Sequence, residues 1–375
     1  MGLINIRLGD YIERSTINNK DLKYGFDLIV GVNSQGVFAT PKGNTDGVDL
    51  KPYKIVENGA FVYNPTRLEL GSIAYRTEGL CIVSHLYMVF YLTDEGKKII
   101  DPMWLYIYFR RSEFCREVKF RNFGSQRPEF NFNDMSDIVI PLPDIEIQKK
   151  YVDIYNAMLE NQKSYEYRLE DLKLACDAYI EDLKHGIHCK AIGPYVERHD
   201  VRNRTNEIKN VMGVSTSKEF REPTSKVNRN ELSNYKIVRP RQISFVQTTH
   251  NEKVFAYAFN NTEDDIVVTS VNEVFSVDED KLLPEYLCMF FNRTEFDRYA
   301  RFHSWGSARE TFTWDDLVKV EIPIADMKTQ KSIADIYKAY KERKAINEKL
   351  KEQIKDICPI LIKGSIEEAR KAKEA

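Results

Sequence analysis

The sequence contains two copies of one pattern, separated by 182 residues. Tyr53–Val56 recurs letter for letter as Tyr235–Val238, and Gly31–Phe38 recurs in altered form as Gly213–Phe220. Further matches lie at shifts of 182 to 185 residues: Leu8–Glu13 with Ile192–Glu197, Ile82–Phe90 with Val267–Phe275, Gly124–Arg127 with Gly306–Arg309, and Ile140–Asp144 with Ile322–Asp326. Each copy is about half of the 375-residue chain, far longer than a solenoid repeat. The chain is therefore expected to fold as two related domains, each with an appendage.

The appendage of the first copy is predicted to be one long helix. Residues 144–185 contain neither Gly nor Pro, and their apolar residues recur in steps of three and four, as in a coiled-coil seam. The seam, with Gln162 as its polar member, comprises Tyr151, Tyr155, Met158, Tyr165, Leu169, Leu172, Cys176, Tyr179 and Leu183. Such a seam requires a partner helix.

The second copy supplies an equivalent row on a second predicted helix. It comprises Ile333, Tyr337, Tyr340, Lys344, Asn347, then Leu350 or Lys351, Ile354, Cys358 and Leu361. Because buried polar pairs fix the register of a helix pair, we expect Lys344 and Asn347 to lie near Gln162 or Glu166. Pro359 is expected to bend or end this helix early, since proline lacks the backbone donor.

The segments before each helix alternate short aromatic or β-branched runs with turn residues. Ile82–Tyr91 and Ile266–Val277 are predicted to contain strands, and Pro102–Arg116 and Pro284–Arg298 are predicted to be helical, each opened by a proline. The fold class is therefore α+β, with mixed α/β domains. We place the boundaries at 1–143 and 187–325 for the domains, and at 144–186 and 326–370 for the helices.

Positive charge collects locally although the net charge is only −2. Arg198–Arg241 holds eleven basic and five acidic side chains, and Arg110–Arg127 holds six and two. Segregation of this kind is typical of proteins that bind polyanions, with an ordinary solvated surface as the alternative. Gly-Ser-x-Arg also occurs in both copies directly after Phe123 or Trp305, where it is suited to grip phosphate, or else to cap a structural loop.

Motifs for catalysis, metals and membranes are absent from the sequence. There is no phosphate-binding glycine loop and no nucleophile elbow, and His185, His188 and Cys189 are better explained as a helix end than as metal ligands. The six cysteines contain no Cys-x-x-Cys pair, which favours reduced thiols in the cytoplasm. No apolar stretch is long enough to span a membrane, so a non-catalytic cytoplasmic protein is expected.

The whole chain resembles the specificity subunit of type I restriction-modification systems. The residues that carry this resemblance are Tyr63, Asn64, Arg67, Gly71–Ile73, Val83, Ser84, Val89, Phe90, Gly124–Arg127 and Ile140–Gln148, with Gly306–Arg309 and Ile322–Gln330 in the second copy. The resemblance implies two target recognition domains and two spacer helices. It further implies that methylation comes from two separate methylase subunits carrying S-adenosylmethionine, and that cleavage comes from an ATP-dependent restriction subunit. No cofactor is expected on this chain.

The helix length agrees with this design. A helix of ~42 residues spans ~63 Å at ~1.5 Å per residue, enough to hold two domains at major grooves ~34 Å apart. If the helices pair as an antiparallel coiled coil, a pseudo-twofold axis relates the two copies and can match the dyad of duplex DNA. Because the copies differ in their loops, we expect an asymmetric, bipartite site in double-stranded DNA with an unread spacer.

Polar and basic loop side chains are the candidates for DNA contact, since phosphate contacts set position and base-edge contacts specify sequence. Ser125, Arg127, Ser307 and Arg309 are predicted to contact the backbone. The predicted base-contacting residues are Ser34, Gln35, Lys42, Arg67 and Arg76 in the first copy and Thr216, Ser217, Lys218, Arg221 and Gln247 in the second. Two alternatives stay open: a recognition subunit of a methylation-only system, and a coiled-coil scaffold with two protein-binding domains.

Overall fold

The computed structural model describes residues 2–41, 43, 47–122, 129–248, 254–305 and 310–374. It divides into two compact units. Unit 1 comprises Met1–Ser164 together with Asn347–Ala375, and unit 2 comprises Tyr165–Ile346. Each unit therefore contains one globular domain and part of both long helices.

The strands of the two copies correspond one to one. Within the described residues of the first copy, β1 to β10 are Ile4–Arg7, Ile12–Arg14, Gly31–Val32, Phe38–Ala39, Lys54–Val56, Phe61–Tyr63, Ile73–Tyr75, Cys81–Val83, Met88–Leu92 and Val139–Leu142. In the second copy, β11 to β20 are Cys189–Ala191, Val196–His199, Gly213–Val214, Phe220–Arg221, Lys236–Val238, Ile243–Val246, Tyr257–Phe259, Ile266–Val268, Asn272–Val277 and Glu321–Pro323. The predicted strand regions Ile82–Tyr91 and Ile266–Val277 each hold two strands.

Each unit is built on a four-stranded antiparallel sheet. The strand order is β2-β9-β6-β7 in unit 1 and β12-β19-β16-β17 in unit 2. In both units one two-stranded ladder links the start of the domain to its end, β1 with β10 and β11 with β20. The other ladders are the hairpins β3-β4 and β13-β14 and the pairs β5-β8 and β15-β18. The identical strand order confirms that the two copies share one fold.

The helices pack on one face of each sheet. Their bounds, α1 to α9 in order, are Asp94–Ile99, Pro102–Phe109, Ser112–Arg121, Phe132–Ser136, Ile145–Gly186, Pro284–Asn292, Thr294–Phe302, Trp314–Leu317 and Met327–Glu374. Each of the predicted helical segments, Pro102–Arg116 and Pro284–Arg298, is thus divided between two helices. α2 and α6 start at the expected prolines, and the carboxylate of Asp101 caps α2 by accepting hydrogen bonds from the backbone of Met103 and Trp104.

The two long helices complete the cores of both units. In unit 1, Ile354, Cys358 and Leu361 of α9 are buried with Val152 and Tyr155 of α5 against the aromatic core. Lys150 of α5 pairs with Glu368, and Gln162 bonds to Asn347. From Lys150 to Gln162 the contacts advance along α5, while their partners run back from Glu368 to Asn347 along α9. The two helices are therefore antiparallel in unit 1. In unit 2, Cys176 and Ile180 of α5 share a core with Ile333 and Tyr337 of α9.

Two details of the helix predictions are wrong. Tyr179 is 47% exposed whereas Ile180 is fully buried, because the buried row takes two successive steps of four after Leu172. α9 continues to Glu374 with Pro359 inside it. Cys358 and Leu361, on either side of the proline, are both buried in the core of unit 1, and this packing offsets the one backbone hydrogen bond that proline removes.

A buried glutamine fixes the start of each long helix. The Gln148 amide donates to the carbonyls of Ile99 and Pro143, at 2.8 and 2.7 Å, and accepts from the backbone N–H of Asp101. Gln330 makes the equivalent bonds to Lys281, Ala325 and Leu283. A fully buried amide with all these partners ties each long helix to its domain.

Candidate nucleic-acid interface

The base-contacting candidates of the first copy gather around the β3-β4 hairpin. Ser34 and Gln35 are exposed at its tip, and the exposed Arg67 opens the neighbouring loop. The hairpin and this loop are joined because the Ser72 hydroxyl donates to the Val32 carbonyl at 2.8 Å. The guanidinium of Arg76 packs over the Phe38 ring at 5.3 Å. The structure therefore brings these four candidates to one region of unit 1.

Arg110 holds that region together from inside. Its guanidinium donates to the carbonyls of Gly71, at 2.5 Å, and Ser34, at 3.3 Å. Gly36 has a positive φ of 75°, and a Cβ there would lie 2.6 Å from the Arg110 side chain. Glycine adopts this conformation without strain, and a larger side chain here would displace the Arg110 guanidinium.

In unit 2 a different cation makes the internal link between the hairpin and the rest of the domain. Lys218 occupies the position equivalent to Gly36 and also has a positive φ, 63°. Its buried ammonium donates to the Phe291 carbonyl at 2.7 Å and pairs with Asp297 at 2.8 Å. Asn292 stands where unit 1 has Arg110. Lys218 thus replaces Arg110 as the internal link, and its side chain is directed away from solvent.

The other candidates of the second copy differ in exposure. Ser217 and Arg221 are exposed on the β13-β14 hairpin, and Thr216 is half-buried. The Gln247 amide donates to the carboxylate of Glu273, so it is engaged within the domain. Lys42, Ser125, Arg127, Ser307 and Arg309 lie outside the described residues.

Much of the positive charge of Arg198–Arg241 is neutralised inside unit 2. Glu273 accepts two hydrogen bonds of 2.7 Å from Arg198 and lies 3.6 Å from the ammonium of Lys236. The bonds to Glu273 raise the pKa of Arg198. Arg241 pairs with Glu279 and Glu285. The local charge count in the sequence therefore overstates the charge available to an external polyanion.

One exposed surface recurs in both units and was missed from the sequence. We call it the aromatic-basic face: Arg116, Lys119 and Phe120 on α3, and Arg298, Arg301 and Phe302 on α7. Phe120 and Phe302 are each 82% exposed, whereas Phe114 and Phe296, six residues earlier, are buried. Nearby Trp305 is 74% exposed. Retention of an exposed phenyl directly after a cation, Lys119 or Arg301, at the 182-residue shift is the signal that sequence reading overlooked.

The comparisons with known proteins agree with this architecture. Residues 3–170 and 194–356 each match the family model described as type I restriction modification DNA specificity domain. The chain belongs to this family. As a member of the type I DNA specificity family, it carries one match on each sequence copy, which together span most of its length.

Three solved structures are similar to this chain at low identity, and the first shows the same fold. The S subunit of the type I restriction-modification system from M. genitalium is 10% identical, with a TM-score of 0.58 over 97% of this chain and 96% of that chain. The HsdS subunit from Thermoanaerobacter tengcongensis is 16% identical over 97% and 96%, with a TM-score of 0.39. A structure reported on complex assembly and conformational transition of the type I R-M system is 15% identical over 97% of both chains, with a TM-score of 0.48. No curated protein matches the chain.

The described ranges contain neither a membrane-spanning helix nor a metal-binding cluster. None of the helices there combines the length and apolarity needed to cross a bilayer. Likewise, no group of three or more His, Cys, Asp and Glu side chains in those ranges is arranged to hold a metal ion.

Proposed function

We propose that this chain is the specificity subunit of a type I restriction-modification complex and that each unit recognises one half of a bipartite DNA site. The observation that carries this proposal is the match of both sequence copies to the DNA specificity family. Because the hairpin residues differ between the copies, Ser34 and Gln35 against Thr216 and Ser217, the two half-sites differ in sequence. The site is therefore asymmetric.

In this proposal the long helices set the spacer between the half-sites. α5 and α9 each contribute to both units, and a pseudo-twofold relation of the units would match the dyad of duplex DNA. This chain positions other subunits on the DNA, and those subunits perform the chemistry. Two methylase subunits carry S-adenosylmethionine, and an ATP-dependent restriction subunit joins where the system also cleaves. A cytoplasmic location follows from this role.

The aromatic-basic face supports DNA as the ligand. Cations on α3 and α7 are placed to contact phosphates, and an exposed phenyl beside them can stack on bases or pack on sugars. A protein-binding scaffold has no need to retain three such side chains at equivalent positions in two otherwise diverged copies.

The test is the methylation pattern of cells that express this chain with its methylase. The expected result is one gapped, asymmetric motif. Exchange of residues 31–39 for those of a related subunit with known specificity should change one half of the motif and leave the other half and the gap unchanged. Exchange of residues 213–221 is the matched control and should change the opposite half. Methylation without a gapped motif would contradict the proposal.

A second measurement separates DNA binding from a scaffold role. Affinity for duplex DNA should fall steeply with salt concentration, because bound phosphates release counterions. Affinity that does not respond to salt, or that is absent, would favour the scaffold.

A further inference from the structure

One place in the fold is filled differently in the two units. The strand register makes the positions equivalent: Arg14 lies opposite Phe90 as Arg198 lies opposite Phe275. Tyr63 likewise lies opposite Met88, and Phe245 lies opposite Glu273. Lys54 bridges to Asn18 as Lys236 bridges to Arg202. Arg14, Lys54 and Met88 of unit 1 therefore correspond to Arg198, Lys236 and Glu273 of unit 2.

In unit 2 the charges at this place are balanced without a ligand. The side chain of Glu273 is only 5% exposed. Its two carboxylate oxygens accept from Arg198 at 2.7 Å each, and its charge also faces Lys236 and the amide of Gln247. Two cations and one buried carboxylate thus satisfy each other.

In unit 1 the two cations remain but the carboxylate is replaced by Met88. Lys54 is 8% exposed, and its ammonium donates to the Tyr87 carbonyl at 2.5 Å. Among the described residues, neither Lys54 nor Arg14 forms an ion pair with an acid. Burial, with the charge of Arg14 added, lowers the pKa of Lys54. A partly buried cation beside a second cation is unfavourable unless an anion joins them.

A buried hydroxyl without a hydrogen-bond partner among the described residues lies near Arg14. Tyr63 is fully buried, and within the described residues its hydroxyl makes no hydrogen bond. Burial and the negative charge of Asp134 raise the pKa of Tyr63, and the charge of Arg14 lowers it in part, so the hydroxyl stays protonated and able to donate. Asp134, the acid whose charge also acts on this hydroxyl, is engaged in capping α4. Unit 2 has Phe245, without a hydroxyl, at this position.

We propose that Arg14, Lys54 and Tyr63 form an oxyanion site in unit 1 that takes a phosphate group where unit 2 holds the carboxylate of Glu273. Two cations and a neutral hydroxyl donor match the charge and acceptors of a phosphate. Met88, at the edge of the site, is half-buried and flexible enough to move aside. The phosphate is a phosphodiester of bound DNA or a free ion. Only the first source rests on the proposed function.

The test fills the site with the carboxylate that unit 2 uses. Thermal unfolding of the full chain is followed in inorganic phosphate and in chloride of equal ionic strength, for the wild type, Met88→Glu and the uncharged control Met88→Gln. The expected result is stabilisation by phosphate in the wild type and in M88Q, and loss of that response in M88E. M88E should also be the most stable of the three in chloride, which excludes misfolding as the cause. An equal response to phosphate in M88E and the wild type overturns the proposal.

A second arm identifies the source of the phosphate. With duplex DNA, the slope of log affinity against log salt should shrink by about 0.9 in M88E, the change expected when the protein neutralises one phosphate fewer, and stay unchanged in M88Q. A lost phosphate response with an unchanged DNA slope assigns the site to a free ion and overturns the DNA source. Absence of any DNA binding in the wild type would contradict the proposed function while the phosphate arm still tests the site.

Discussion

The amide of Gln162 donates a hydrogen bond of 2.9 Å to the side-chain oxygen of Asn347, with both residues buried between α5 and α9 in unit 1. This contact confirms the expected meeting of Asn347 with Gln162. The Lys344 ammonium lies 3.6 Å from Glu219. The polar position is thus a specific pair inside an apolar seam, which is the arrangement that fixes helix register.

Replacement of one member of this pair should cost more than replacement of both. Gln162→Leu leaves the Asn347 oxygen with its partner removed, at about 1–3 kcal/mol of unfolding free energy. The double variant Gln162→Leu with Asn347→Leu should recover that loss or exceed wild-type stability. Urea unfolding of the four proteins in the cycle measures this coupling, and additive effects would contradict it.

The buried ion pair of Lys218 and Asp297 gives a second cycle. Lys218→Met leaves a mostly buried carboxylate without its cation and should destabilise unit 2 by roughly 3 kcal/mol. Adding Asp297→Asn removes the stranded charge, and the amide oxygen can still accept from the Phe255 backbone, as Asp297 does, so part of the loss should return. The double variant Lys218→Gly with Asn292→Arg places the unit 1 residues in unit 2. It should have a higher unfolding free energy than Lys218→Gly alone.

Arg293 should make the stability of unit 2 sensitive to acid. It is 13% exposed and pairs with Asp177 and Glu181 of α5 and with Glu295. Its hydrogen bond, aided by Lys184, holds the pKa of Glu181 below the ordinary value. A depressed carboxyl pKa contributes stability above the unfolded pKa and loses it as pH falls through the folded one. Acidification from pH 5 to pH 3, values near the ordinary Glu pKa of ~4.3, should therefore weaken unit 2.

The Arg293→Met variant should reduce this acid sensitivity and lower stability at neutral pH by on the order of 2 kcal/mol. Arg111→Met is the matched control. Arg111 occupies the equivalent position in unit 1, where it packs over the Tyr108 ring at 3.7 Å. Unfolding midpoints measured across this pH range for both variants test the assignment, and an identical acid response in R293M and the wild type would exclude it.

The phenyl groups of the aromatic-basic face should matter for binding rather than for folding. At 82% exposure, Phe120→Ala and Phe302→Ala are expected to change unfolding free energy by less than about 0.5 kcal/mol. Loss of a stacked base would weaken DNA affinity by about 1–3 kcal/mol. Ile360→Ala, which removes another exposed apolar side chain, is the control and should leave affinity unchanged. Affinities are measured by titration of labelled duplex.

The duplication and the long helices were predictable from sequence because both are written in regular patterns. The 182-residue shift located the equivalent strands, and the apolar period located α5 from Ile145 to Gly186 within one residue of the predicted ends. Pro359 was misjudged because packing of α9 on unit 1 outweighs the local propensity of proline. The exposure and the contacts of individual side chains were less predictable from the sequence.

Lys218 shows why. In sequence it is one more cation in a basic stretch. Its side chain points inward because Asn292, 74 residues further along the chain, stands at the position where unit 1 has Arg110. Glu273 is similar, since its bonds to Arg198 and Lys236 join three separate strands. Such exchanges between distant positions leave no periodic trace, so exposure had to come from the structure.

Unit 2 is one continuous segment of the chain, whereas unit 1 is assembled from both ends of it. The core of unit 1 takes in Ile354, Cys358, Leu361 and Ile362, so this core is incomplete until the last stretch of α9 has left the ribosome. During synthesis the domain that is made first is therefore the one that is finished last, and a nascent chain halted before Asn347 holds every residue of the later unit but not of the earlier one.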